Sequence, residues 1–152
     1  MNAFLDGARR EPNPGRIVWE TERPAHNGRF GWLRVSQLGR VTVEAEREDH
    51  NRLVGGDRDG RLAFPRRRPS GRVVARRDGN TIVLETSGVR RVALLLSPDV
   101  FDLDRPITVI ANGRTLMQRV VPRSTATLLT WAARDRDRSV LYAAELLLSL
   151  ER

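Results

Sequence analysis

Residues 107–120, ITVIANGRTLMQRV, decide the fold. Two runs of β-forming residues flank Asn112-Gly113. Asn-Gly in that setting is the strongest short-range hairpin signal, because a type I′ turn needs positive φ at both central positions and these two residues tolerate it. Just downstream, Ser124 precedes Leu128, Leu129, Ala132 and Ala133, an apolar stripe at helical spacing that the serine can cap. Asp135 to Arg138 form the polar exit of that helix. The stretch reads strand, turn, strand, helix.

Working outward, Arg91 to Ser97 (RVALLLS) is apolar at consecutive positions, which predicts a central strand buried on both faces. Arg72–Arg77 and Asn80–Thr86 flank Asp78-Gly79, a second hairpin. Arg16 to Glu22 alternates Ile17 and Trp19 against Val18 and Glu20 until Pro24 stops it. Gly31 to Leu38 sets Leu33 and Val35 on one face and Trp32 on the other, and Arg40 to Glu46 aligns Val41, Val43 and Ala45. Asp49 to Ser70, rich in glycine and proline around Arg66-Arg67-Arg68, reads as a long surface loop. Tyr142 to Leu150 has no clean period, and its alanines and leucines taken alone favour helix. Residues 1–15 read as a helical remnant around Phe4 and Leu5 and a Pro-rich linker, and residues 16–152 as a single β-rich domain. About eight or nine strands with one late helix predict a mainly β fold, an antiparallel β-sandwich-like domain with one late α-helix.

Composition narrows the chemistry. At 152 residues the chain has the size of one domain with a real hydrophobic core. Its 27 basic side chains, all arginine, against 19 acidic ones give a net charge of +8. Such a balance raises polyanions as partners, since guanidinium groups displace the counterions of phosphates. The arginines are scattered, often beside an acid, with no interleaved aromatic platforms, and this disfavours nucleic acid. Without cysteine there is no disulfide, thiolate-metal site or cysteine nucleophile. No apolar run approaches the ~20 residues of a membrane span, and MNAFLDGARR lacks the apolar core of a signal peptide. A soluble chain away from the membrane is expected, in a compartment that the residues leave open.

A hydrolytic triad needs a serine on a strained turn, a histidine and an orienting acid. Only His26 and His50 occur, both in polar loop sequence, and no G-x-S-x-G elbow is present. Asp57-Arg58-Asp59-Gly60 breaks the calcium-loop spacing, with Gly55 where the first ligand belongs and Arg66 in place of the closing glutamate. Asp99, Asp102 and Asp104 can meet a cation if their loop curls, although loop aspartates commonly bond their own backbone. Gly55-Gly56-Asp57 does not link a strand to a helix as a phosphate cradle must. Trp19 and Trp32 at strand positions and Trp131 beside the helix stripe fit core packing. No catalytic residue, metal ligand or cofactor is therefore expected. The one candidate binding surface is for anions, on Arg66, Arg67, Arg68, Arg72, Arg76 and Arg77.

Ile17-Val18-Trp19-Glu20-Thr21, Gly31-Trp32-Leu33-Arg34-Val35, Leu94-Leu95-Leu96 and the block Asp102-Leu103-Asp104-Arg105-Pro106 to Asn112-Gly113 carry a further pattern. Together they resemble the C-terminal β-domain that follows the catalytic domain in large bacterial α/β-hydrolase-type esterases and peptidases. The short matches spread over residues 4 to 150, and the Asp102 to Gly113 block is the most specific. The resemblance implies that Phe4-Leu5-Asp6 is the end of the last hydrolase helix, that Pro12 to Pro14 is the joint, and that Tyr142 to Leu150 is a closing strand. It implies a non-catalytic accessory domain whose partner is the catalytic hydrolase domain of the same parent chain, packed against it or gating its site, with the triad upstream. The alternative is a stand-alone module holding nucleic acid or an acidic polysaccharide through the Arg66–Arg77 region. A homo-oligomer built through exposed sheet edges is a third reading.

Overall fold

The apolar runs pair into two sheets whose inner faces close on each other. The computed structural model describes residues 11–39, 70–135 and 139–150. The chain enters at β1 (Arg16–Thr21), makes the single helical turn α1 (Pro24–Asn27), and continues through β2 (Arg29–Phe30) and β3 (Leu33–Leu38). Then follow β4 (Gly71–Asp78), β5 (Thr81–Ser87), β6 (Val89–Leu96), β7 (Ile107–Ala111), β8 (Arg114–Arg119), the helix α2 (Thr125–Arg134) and β9 (Ala144–Ser149). The first sheet runs β1-β4-β5-β7-β8 and the second β2-β3-β6-β9. Neighbours are antiparallel except β5 and β7, which run parallel. This is the expected mainly β sandwich with one late helix.

Alternation explains the core. Ile17, Val73, Ala75, Ile82, Leu84, Ile107 and Val109 line the inner face of the first sheet, and Leu33, Val35, Val92, Leu94, Leu96 and Leu146 that of the second, all buried. The run read as a central strand is β6, between β3 and β9. Its outward Ala93 and Leu95 are buried as well. The tail forms strand β9, as the resemblance implied and against the helix that its alanines and leucines favour alone. Tertiary pairing with β6 overrides that propensity.

Three local expectations shift. The second hairpin pairs Asp78 with Thr81, so its loop is Gly79-Asn80 and not Asp78-Gly79. Gly79, with φ +50°, takes the first loop position, the pattern of a type II′ turn. Asn80 is held in the loop by its side chain, which accepts from Asp102 N at 2.9 Å and donates to Asp102 O at 2.7 Å. Trp32 lies in the β2–β3 turn and not on a strand face, because Phe30 pairs with Leu33. It is nonetheless fully buried, its indole N–H on Pro14 O at 2.8 Å. Helix α2 is capped by Ser124 as expected, Oγ accepting from Thr127 N at 3.1 Å, but its buried face is not the alanine-leucine stripe. Trp131 is buried while Leu129, Ala132 and Ala133 face outward. The bulkier ring, with an N–H to satisfy, takes the inward position.

The expected strand Arg40–Glu46, the loop up to Pro69 and the helical remnant at 1–10 fall outside the described residues. No helix among the described residues is long and apolar enough to cross a membrane.

Candidate functional site

Of the six predicted anion-binding arginines, Arg66, Arg67 and Arg68 lie outside the described residues, and β4 carries Arg72, Arg76 and Arg77. Strand periodicity separates these three. Arg72 and Arg76 share the outer face of the first sheet with Val74, whereas Arg77 turns the other way with Val73 and Ala75. Arg77 is a structural clamp: its guanidinium sits 5.7 Å from the Phe101 ring centroid and its backbone N–H donates to Gly15 O at 2.8 Å.

The register adds a residue that the sequence reading missed. Arg16 of β1 stands directly opposite Arg76, and Glu20 opposite Arg72. Like charges so placed repel, their Cβ atoms about 5 Å apart. Among the described residues neither Arg16, Arg72 nor Arg76 has an ion pair. Between the arginines stand Val18, which is exposed, and Val74, which is buried, with Glu85 of β5 opposite Val74.

A half-buried cluster of charged and aromatic side chains lies on the other sheet, beneath α2. Arg29 of β2 and Arg34 of β3 are cross-strand neighbours on its outer face. Arg29 makes a bidentate pair with Asp135 at 2.5 and 2.7 Å, and Arg34 donates to Glu145 of β9 at 2.7 Å. The Trp131 ring lies between them, 4.6 Å from the Arg29 guanidinium carbon and 5.5 Å from that of Arg34. Its Nε1–H reaches Glu145 at 3.3 Å, and Tyr142 meets it edge to face at 6.4 Å. Burial opposes the charge of Arg29, but the bond to Asp135 and the field of that carboxylate outweigh it, so the pKa of Arg29 is raised. Each charge here is spent on a neighbour: the cluster is the anchor of α2, built from residues more than a hundred apart in sequence.

The loop acids behave as local structure. The Asp102 carboxylate accepts from Asp104 N at 3.1 Å and meets Arg105 at 3.3 Å; Asp104 is held bidentate by Arg123 at 2.5 and 3.0 Å; Asp99 shares a bond with Ser97 Oγ. Among the described residues no group of three acids or histidines is placed to hold a metal ion. His26 is exposed on α1, and His50 lies outside the described residues.

A shallow groove of about 440 Å³ opens on the outer face of the second sheet, beyond α2, between Ser36, Gln37, Arg91, Leu147 and Ser149. No known protein-family model matches the chain, and neither a curated protein nor a solved structure does.

Proposed function

We propose that the chain is a non-catalytic accessory β-sandwich module that packs on, or gates, an α/β-hydrolase-type catalytic domain in the same parent chain. The observation that carries this reading is where its apolar side chains meet solvent. Leu116, Val120, Leu129 and Leu141, exposed by 38, 50, 62 and 46%, follow one another from β8 through α2 to the lead of β9. Ser124 N–H donates to Ala143 O at 2.7 Å, which holds the segment after β8 beside the segment before β9. Exposed apolar side chains on consecutive elements are surface that a docked partner domain covers.

The segment before β1 supports the same reading. Trp32 bonds Pro14 O, Arg77 N–H bonds Gly15 O, and Asn13 is buried. The joint from Asn13 to Gly15 is thereby tied to the β2–β3 turn and to β4. The test is the intact mass of the native protein, taken from its source cells with an antibody to this domain. A species several times heavier than 17.2 kDa is expected, and a species at 17.2 kDa overturns the reading.

A second reading, an anion-binding module, is favoured by the opposed Arg16 and Arg76 with no acid between them. An acidic polysaccharide laid across β1 and β4 relieves that repulsion. Retention on heparin should fall steeply with salt, and Arg16→Ala with Arg76→Ala should flatten the salt slope; an unchanged slope removes this reading.

A further inference from the structure

Among the described residues the two sheets leave four strand edges, and three of them carry charge that discourages pairing: Arg16 and Glu20 on β1, Arg29 on β2, Arg114 and Arg119 on β8. The fourth, β9, is uncharged from Leu146 to Leu150. Its single acid, Glu145, is already held by Arg34 and Trp131. Leu147 stands outward on this strand at 71% exposure.

The backbone groups of β9 that have no partner among the described residues can be assigned. Leu150 N–H donates to Arg90 O, and on the other side of β6 Leu95 N–H donates to Trp32 O, each at 2.8 Å. In an antiparallel pair alternate residues face each neighbour. Leu146, Leu148 and Leu150 therefore turn their backbone to β6, and Glu145, Leu147 and Ser149 turn theirs to the open edge.

We propose that this edge pairs antiparallel with the same edge of a second copy, about a two-fold axis at Leu147, joining two four-stranded sheets into one of eight strands. The register follows from the symmetry: Leu147 opposes Leu147, and Glu145 opposes Ser149 in both directions, so no like charges meet. All three outward backbone units of each copy find partners, and the two Leu147 side chains cover each other.

Charge complementarity supports the second copy as occupant. By register, Gln37, Arg91 and Ser149 form one row across β3, β6 and β9. Arg91 has no ion pair among the described residues. In the paired state the next residue in that row is Glu145 of the second copy, on the same face. Strands are about 4.8 Å apart, so the two Cα atoms stand two spacings, about 9.6 Å, apart, within roughly one Debye length. Arg91 thus gains the field of a carboxylate that keeps its own bonds to Arg34 and Trp131.

The chain has no cysteine, which makes the test direct. Leu147→Cys puts a single thiol on the two-fold axis, where opposed Cα atoms lie about 5.5 Å apart, within disulfide range. Mild oxidation, or a short bismaleimide, should convert it to a covalent dimer at twice 17.2 kDa, while Leu116→Cys on β8 stays at 17.2 kDa. Light scattering should find a dimer for the unaltered chain, and Leu147→Arg, which opposes two guanidinium groups, should weaken it at least tenfold with unchanged melting. Failure of Leu147→Cys to link, linking by Leu116→Cys instead, or a dimer indifferent to Leu147→Arg overturns the proposal. The outcome is independent of the parent-chain mass that tests the accessory role.

Discussion

The Asn112 side chain acts as an added strand residue for Thr86: its Oδ1 accepts from Thr86 N at 2.8 Å and its Nδ2 donates to Thr86 Oγ1 at 3.0 Å. The same residue holds φ +49° in the turn, so it serves the β7–β8 hairpin and the β5–β7 seam together. Asn112→Gly keeps the turn and removes only the side-chain bonds, and should cost about 1 kcal/mol in urea unfolding. Asn112→Ala adds left-handed strain and should cost about 1–2 kcal/mol more. Equal losses for the two variants would show that the bonds to Thr86 contribute everything.

Trp131 and its arginines form the anchor of α2, so Trp131→Ala should cost about 3–5 kcal/mol and loosen that helix before the sheets. Cleavage after Arg134 by trypsin under native conditions is the readout. A double-mutant cycle on Arg29 and Asp135 should give a coupling of about 1 kcal/mol, at the upper end for pairs this exposed (25 and 22%). A coupling near zero would assign the anchoring to the ring alone.

Arg123, first through its hydrogen bonds and then through its charge, holds the Asp104 carboxyl below its ordinary pKa. A group with a depressed folded pKa contributes stability above its unfolded value and loses it as pH falls through the folded one. The pair should therefore help at neutral pH and fade below the ordinary carboxylate range. Carboxyl NMR should place the Asp104 midpoint below that of a free aspartate, and Arg123→Ala should return it there.

Gly28 is required for space, with φ −73°. A Cβ there would lie 2.4 Å from the carbonyl oxygens of Pro24 and Val35. Gly28→Ala should cost about 1–3 kcal/mol. Gly15, where a Cβ meets nothing within 4 Å, is the control, and its alanine variant should stay within about 0.5 kcal/mol.

Local chemistry made the Asn112-Gly113 hairpin, the Ser124 cap and the doubly buried β6 legible, because each is set by residues within a few positions. Trp32 was misplaced because a buried turn tryptophan has the same alternation as a strand residue. The Gly79-Asn80 loop shifted by one residue because Asn80 answers to Asp102, a partner 22 residues away. The anchor of α2 escaped altogether: Arg29–Asp135 and Arg34–Glu145 span 106 and 111 residues, and no periodicity encodes such pairs. Arg16 entered the basic face only through its register with Arg76.

The strand order carries a kinetic consequence. Among the described residues only β2–β3, β4–β5 and β7–β8 close through tight turns; β1 must find β4 across the segment from Thr21 to Gly71, and β9 must return to β6 across nearly fifty residues. Such closures lose chain entropy before any contact rewards them, which places folding in roughly the millisecond-to-second range. The β4–β5 hairpin is the natural nucleus. Until β9 arrives, β6 exposes Leu94 and Leu96 along an unpaired edge, so a nascent chain is most prone to aggregate in the interval before its last strand docks.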